Sequence, residues 1–564
     1  MAQTFYTTLL VQIYGFEAAA HIETRLRNLI ESYRNRIARP VNISLSERDS
    51  LLITYGDQVQ GRGKPHLQTL AEFCETHLRG VIGGVHILPF YPWSSDDGFS
   101  VKDFRTVDPA LGDWKDIERL GSSFRLMFDG VINHMSAQGE WFQRFLNDEE
   151  RYRDYFVTVD GSPDLSKVVR PRALPLLTEF ETRSGTRRVW TTFSADQVDL
   201  DFRNPDVLLE IFDILLMYAQ RGATFIRLDA IAYLWKEIGT TCIHLPQTHA
   251  VIQLLRAVLN EVAPHVRLIT ETNVPHLDNI SYFGDGTDEA QLVYNFALPP
   301  LVLHTFRTGD ASILSGWASS LRLPSDQTTF FNFLASHDGV GLNPARGILS
   351  SADVDALVEQ TLRHSGLISY KHNPDGSTSP YEMNINYFDA LSDPSGDEPL
   401  ELQVDRFMAA QAIMLSMVGM PGIYFHSLFG SRNWKAGVQL TKHNRTINRQ
   451  KLERSELENQ LADSTSRRSM VFTRYRQLLK ARSSSETFDP HGGQRIVDLG
   501  KEIFATQRIS RDGSKQVLCL QNVTAHEVTI TNPVNKAARD LITNRSVDSN
   551  IQLKPYQTIW LVPD

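Results

Sequence analysis

Three carboxylic acids stand where short apolar runs end: Asp229 in "FIRLDA", Glu271 in "RLITETN" and Asp338 in "FFNFLASHDG". A charge carried straight out of a buried segment is costly unless it is paired or used. One such acid alone reads as a helix N-cap or a surface group. Three at corresponding positions read as a site. Two carboxyl groups on opposite sides of one bond suit glycoside cleavage: one protonates the leaving oxygen, and the other attacks the anomeric carbon and is later displaced. Enzymes that retain configuration hold such a pair roughly 5–5.5 Å apart. Asp229 must stay ionised to attack, and Arg227 two residues earlier is expected to lower its pKa. Glu271 must begin protonated, so a less polar setting and the neighbouring aspartates are expected to raise its pKa. Asp338 fits as a clamp on sugar hydroxyls in the oxocarbenium-like transition state.

Only a fold that aligns strand ends can bring these acids together. Eight short apolar runs end in polar residues: "LLITYGDQ", "GVHILPFYPWSSDDGF", "RLMFDGVINH", "FIRLDA", "RLITETN", "LVYNF", "FFNFLASHDG" and "GIYFHSLFG". Helical patterns such as "PDVLLEIFDILLMYAQRG" and "THAVIQLLRAVLNEVA" lie between several of them. Continuous apolar runs mark parallel strands covered on both faces. Eight of them with helices between predict an α/β fold, a (β/α)8 TIM barrel, which keeps its chemistry at the C-terminal strand ends. Residues 1–46 predict a helical segment packed on the barrel, with Ile22, Leu26, Leu29, Ile30 and Tyr33 on one stripe. The barrel occupies 47–485. Residues 136–204 and 344–402 interrupt it as Pro- and turn-rich stretches, the lengths at which loops become functional or form subdomains. From 486 to 564, short alternating runs predict an antiparallel β domain.

The bulk numbers exclude several classes. The 564 residues carry 57 basic and 66 acidic side chains, net −9. That mild acidity gives no reason to expect a nucleic acid or an anionic membrane as partner. No stretch approaches the ~18–20 apolar residues that span a bilayer. Cys74, Cys242 and Cys519 are too far apart for a metal motif or a disulfide framework. With no basic, apolar leader at the N-terminus, a cytoplasmic location is expected.

The segments "DGVINH", "FIRLDA", "ITETN" and "FLASHD" resemble, in order, the four signature regions of the α-amylase superfamily, glycoside hydrolase family 13. Further stretches, "DDGFSVKDFRTVDPALGDW", "RPRALPLL", "WTTFSADQVDLDF", "KEIGTTC" and "NRTINR", resemble the sucrose phosphorylase-like subfamily, nearest its glucosylglycerol and glucosylglycerate branch. The resemblance implies Asp229 as nucleophile, Glu271 as acid/base and Asp338 as transition-state stabiliser. It implies that Arg227, His134 and His337 line the glucose pocket, and that Asp96 and Arg445 pair to close its far end. Phe99 and Phe193 match aromatic platforms, with Gln197 and Tyr233 at the edge. Asp129 is read as structural, at the base of its loop. Singly, His134 would read as a satisfied core histidine and Arg445 as a surface ion pair worth about 0–1 kcal/mol; their joint occurrence carries the weight. The subfamily implies no metal and no cofactor, and its members are often homodimers.

A hydrolase and a phosphorylase share the first half-reaction and differ in what attacks next. Phosphate would enter a site already holding three carboxyl groups. At ~4 Å and an effective dielectric of about 20, each repulsion is about 4 kcal/mol. Cations are therefore needed beside the acceptor. "RPRALP" offers Arg170 and Arg172; Arg172 matches the phosphate-contacting arginine of the subfamily, and His276 is a second candidate. The expected reaction is phosphorolysis of a small α-glucoside to α-glucose 1-phosphate, with small sugars as the partners. Glycerol and glycerate are equally open as leaving groups, with the fructose of sucrose or its 6′-phosphate behind them. Asn343, Arg346 and the stretch 371–382 are expected to make that choice. An α-glucosidase or transglucosidase and a non-catalytic sugar-binding barrel are the other readings.

Overall fold

The computed structural model describes residues 2–38, 44–373, 377–534 and 537–563; 39–43 of the N-terminal segment and 374–376 of the stretch 371–382 lie outside them. Eight parallel strands close into a barrel: β1 (Leu51–Thr54), β2 (Gly84–Ile87), β3 (Arg125–Gly130), β4 (Ala223–Leu228), β5 (Arg267–Thr270), β6 (Leu292–Tyr294), β7 (Thr329–Asn332) and β8 (Met420–Tyr424). Each follows its predecessor around the ring, and β8 pairs with β1. The expected barrel is present, and each strand lies within or overlaps one of the eight apolar runs.

The strands are shorter than those runs because the polar ends leave the ladder to form the rim. In the second run, pairing stops at Ile87, and Asp96 and Asp97 then turn with φ +53° and +48°. Such left-handed backbone is disfavoured for non-glycine residues and is kept where the surroundings impose it. In the interior, close packing demands a glycine on β8: a Cβ at Gly422 would run into the ring of Phe331 on β7. The glycine lets that ring fill the barrel.

Helices α1 (Ala2–Tyr14) and α2 (Phe16–Tyr33) pack against the outer barrel helices α3 (Pro205–Gln220) and α4 (Pro246–Val262). Ile22, Leu26, Ile30 and Tyr33 are buried, and Leu29 packs half-buried at the edge of the stripe. The Tyr33 hydroxyl donates to Asp213 Oδ1 at 2.8 Å, which fixes α2 on α3.

Residues 136–204 form a small subdomain of two antiparallel pairs, His134–Ser136 with Gln197–Asp199 and Leu177–Thr182 with Gly185–Trp190. Val157, Val159, Val168, Leu176, Trp190 and Cys242 make its own core. Residues 344–402 carry the helix Ser351–Arg363 and a hairpin, Leu367–His372 with Thr378–Asn384. The short strand Val340–Gly341 joins that hairpin, tying the excursion to the end of β7. A six-stranded sheet and a two-stranded pair make the C-terminal region, with a second core around Ile503, Leu520 and Leu561. Cys74, Cys242 and Cys519 are free and buried. Among the described residues, no helix is long and apolar enough to cross a membrane.

Candidate active site

Strand register places the first acids side by side. Asp129 on β3 lies opposite Arg227 on β4, and Arg227 lies opposite Ile269 on β5. Beyond the ladder, the Asp229 amide still donates to the Gly130 carbonyl, and the Glu271 amide to that of Leu228, each at 3.2 Å. Neighbouring strand ends therefore present Asp229 and Glu271 to one space.

Arg227 is the hub beneath them. Its side chain is only 2% exposed. Nη1 is 2.8 Å from Asp229 Oδ1 and also ion-pairs with Asp129, while Nη2 lies 3.7 Å from Glu271 Oε2. Asp129 is buried and takes a second contact at 2.7 Å from His86 Nε2. This agrees with its reading as a structural group at the loop base. After Asp229 the chain turns at Ala230, φ +49°, and this residue's amide donates to Glu271 Oε2 at 3.0 Å.

The electrostatics separate the acids. Burial pushes the Glu271 carboxyl up to about 7; Arg227 opposes this, and the charges of Asp229 and Asp338 reinforce it. That is the expected direction. Asp229 departs from expectation. Arg227 does lower its pKa, but burial outweighs the guanidinium and the net shift is upward. Of the two carboxyls, Asp229 is nearer the guanidinium, so the negative charge rests there and the proton on Glu271. Asp338 is held well below the usual carboxylate range: burial would raise it, but Arg445, His337 and Arg449 win.

The acids face a cavity with an open volume of about 670 Å³ including its mouth. Asp96, Phe99, His134, Tyr233 and His337 line it from the barrel loops, and Arg172, Phe193 and Gln197 from the inserted stretch 136–204. Phe99 stacks on His337 with centroids 4.7 Å apart and planes 3° from parallel. His134 Nε2 is 2.9 Å from the Phe99 carbonyl and 3.2 Å from Gln197 Nε2. Tyr233 meets Phe193 edge-on. Arg172 Nη2 is 3.4 Å from Asp96, its guanidinium 5.9 Å from the Phe193 ring centre, and its side chain about a third exposed. Arg170 instead turns onto the carbonyl of Leu174 within its own loop.

Asp96 and Arg445 both line the cavity; Arg445 ion-pairs with Asp338 and, through Nε and Nη2 at 3.0 and 2.7 Å, with Glu382. Besides Arg172, the arginine nearest Asp96 is Arg449, at 3.9 Å. Glu382 is a buried carboxylate, and both of its oxygens accept from Arg445. His276 lies outside the lining, packed against Trp317 and Phe330. Asn343 begins a short turn that ends at Arg346, and neither lines the cavity; Arg346 points to solvent. The stretch 371–382 does reach the cavity, through Tyr381.

Several residues were not singled out from sequence. Thr272, Asn273 and Tyr381 line the cavity, and Arg449 and Glu382 stand behind it. Arg449 lies in the same "NRTINR" segment as Arg445, a signal that marks the segment without saying which arginine faces where. Lys236 bridges Asp199 and Asn133 at 2.7 Å each, locking the inserted subdomain to the loop that carries His134. Among the described residues, no group of three or more His, Cys, Asp or Glu side chains is arranged to hold a metal ion.

The family described as "Alpha amylase, catalytic domain" matches residues 80–338. The chain is 53% identical over 518 residues to a glucosylglycerate phosphorylase of Allomeiothermus silvanus, covering 92% of this chain and 91% of that one. It is 44% identical to a glucosylglycerate phosphorylase of Escherichia coli, covering 98% and 99%. Phosphorylases named for sucrose and for glucosylglycerol match at lower identity. Among solved structures, the sucrose 6F-phosphate phosphorylase from Thermoanaerobacter thermosaccharolyticum superposes with a TM-score of 0.75 at 24% identity, covering 91% of this chain and 100% of that one. That likeness carries the fold.

Proposed function

Since the chain belongs to the α-amylase superfamily, glycoside hydrolase family 13, in its phosphorylase branch, we propose that it is a retaining glucosylglycerate phosphorylase. It converts glucosylglycerate and phosphate into α-D-glucose 1-phosphate and glycerate. The observation that carries this reading is the 44–53% identity, over nearly the whole chain, to enzymes of that name. The same observation favours glycerate over glycerol and fructose as the leaving group.

The site supports a double displacement. Asp229, ionised above Arg227, attacks the anomeric carbon as the bond to the glycerate oxygen breaks, and Glu271 gives its proton to that oxygen. A β-linked glucosyl ester of Asp229 remains. A phosphate oxygen then attacks the same carbon, the ester bond breaks to free the Asp229 carboxylate, and Glu271 takes the phosphate's proton. Two inversions restore the α configuration. Asp338 is held ionised to offset the positive charge that develops on the sugar. Phosphate and glycerate are both anions, so each needs a cation to offset the carboxylates. We assign this role to Arg172 at the mouth. Phosphate is a co-substrate and no cofactor takes part. We place the enzyme in the cytoplasm, turning over a compatible solute, with its three thiols reduced.

One panel tests the reading. The protein is given α-glucose 1-phosphate with glycerate, glycerol or fructose, and phosphate release is followed. Glycerate is expected to be fastest. A faster rate with glycerol or fructose reassigns the glucoside, and release independent of any acceptor makes the protein a hydrolase.

A further inference from the structure

Asp196 sits between Phe193 and Gln197, which both line the cavity, without lining it itself. Its carboxylate gathers hydroxyls from two other parts of the chain. Oδ2 accepts from Ser94 and Ser95 at 2.5 Å each and from Ser100 at 2.8 Å. Oδ1 is 3.4 Å from the Ser136 hydroxyl, which also lies 2.6 Å from that of Ser94. The backbone joins in: the Asp196 carbonyl accepts from the Ser100 hydroxyl at 2.9 Å and from the Ala137 amide at 2.8 Å. The loop after β2, the strand His134–Ser136 and the far end of the inserted stretch therefore meet on one residue. Between them they deliver Asp96, Phe99, His134, Phe193 and Gln197 to the cavity.

The loop after β2 needs holding. Asp96, Asp97 and Gly98 are left-handed in succession, with φ +53°, +48° and +107°, and such backbone persists only where its surroundings over-determine it. The loop closes on itself where the Ser94 amide donates to the Ser100 carbonyl at 3.1 Å, and Asp97 pairs with Arg449 at 2.6 Å. Its placement against the other two segments is a separate matter. Ser94, Ser95 and Ser100 flank the left-handed residues on both sides, and all three hydroxyls converge on Asp196. A carboxylate, which only accepts, suits three donors at one point, and bonds to an ionised acceptor are the short, strong ones. The Phe99 carbonyl meets His134 Nε2 and Gln197 Nε2 at 2.9 and 3.2 Å, so the same three segments touch again at the cavity wall.

We propose that Asp196 is a positioning residue: its carboxylate clasps both ends of the 96–98 turn to the inserted stretch and so sets where Asp96 and Phe99 stand against the bound sugar. The inference rests on the phosphorolytic reading above for the identity of that sugar, and adds to it a residue outside the cavity that shapes how the sugar is held.

The test measures kcat and KM for α-glucose 1-phosphate at saturating glycerate, and the melting temperature, in Asp196→Ala, Asp196→Asn and the double variant Ser94→Ala, Ser95→Ala. Asp196→Ala should raise KM for α-glucose 1-phosphate on the order of tenfold, the scale of one misplaced hydrogen bond. Asp196→Asn keeps an acceptor oxygen at the same reach and should recover most of that loss. The double serine variant keeps the carboxylate, removes two of its donors, and should raise the same KM. An unchanged KM in Asp196→Ala, with or without a lowered melting temperature, overturns the proposal, since a merely structural clasp would move the melt alone. So does Asp196→Asn as impaired as Asp196→Ala. If Asp196→Ala does not fold, the KM of the double serine variant decides. If the parent turns over α-glucosides without phosphate, the phosphorolytic reading fails, and the KM of the same variants for that glucoside still decides the role of Asp196.

Discussion

Nη1 of Arg227 lies 2.8 Å from Oδ1 of Asp229, at the end of a strand where the guanidinium is buried and the carboxylate faces the cavity. The same guanidinium reaches Asp129 and Glu271, so one planar cation sets the charge of three carboxyl groups. A lysine ammonium is a point charge that cannot meet them all. Arg227→Lys should therefore lose activity on α-glucose 1-phosphate by a hundredfold or more, on the order of the 3 kcal/mol or more that breaking a buried ion pair costs. It should also melt at a lower temperature. Kinetics and a thermal melt of the purified variant check this, and parent-like values in both would deny the hub role.

Asp229 and Glu271 have different duties, so their variants should fail differently. Asp229→Asn should form no covalent species. Glu271→Gln should lose roughly 10²–10⁴-fold in rate, the usual contribution of a general acid. It should still accumulate a glucosyl ester on Asp229 when given a glucoside whose leaving group needs no proton, such as α-glucosyl fluoride. Intact-protein mass spectrometry, followed by peptide mapping, locates the sugar; an adduct elsewhere would refute the assignment.

Glu271 also sets a pH dependence. Its carboxyl is pushed up to about 7 by burial first and by neighbouring negative charge. The first half-reaction needs it protonated, so kcat/KM for the glucoside should fall as pH rises through about 7. The sign for stability is the same. The folded state holds this proton between the ordinary value of 4.5 and about 7, while the unfolded chain has released it. Stability is therefore lost across that window, by roughly 3 kcal/mol in all. Glu271→Gln removes the titrating group, so its melting temperature relative to the parent should rise from pH 5 to pH 8. A constant difference would show that Glu271 titrates normally.

Arg172 is the cation best placed to serve phosphate. It is held by Asp96, at 3.4 Å, and by the face of Phe193, and is partly open to solvent. Arg172→Ala should lose phosphorolysis far more than it loses hydrolysis of the same glucoside. Equal losses would mean that the residue only holds Asp96 or the loop.

The composition of the apolar runs and the acids that end them determined the barrel and its three catalytic candidates. Strands covered on both faces must read as apolar runs, and a costly charge at their ends must have a partner, so the pattern was legible residue by residue. The two long interruptions showed instead as Pro- and turn-rich stretches, and the C-terminal segment as short alternating runs. What sequence left undecided were the relationships that depend on which side chain wins a contested contact. Burial overrides the guanidinium at Asp229, because the loss of water around a carboxylate grows with the packing of every neighbour and not with one adjacent arginine. Arg445 goes to Asp338 and Glu382, leaving Arg449 nearer Asp96, because a hairpin remote in the chain delivers a carboxylate to it. His276 and Arg346 fall outside the cavity because a loop's direction, unlike a strand's, is set by what it packs against. The meeting of Ser94, Ser100 and Ser136 on Asp196 exists only once segments far apart in the chain are folded together.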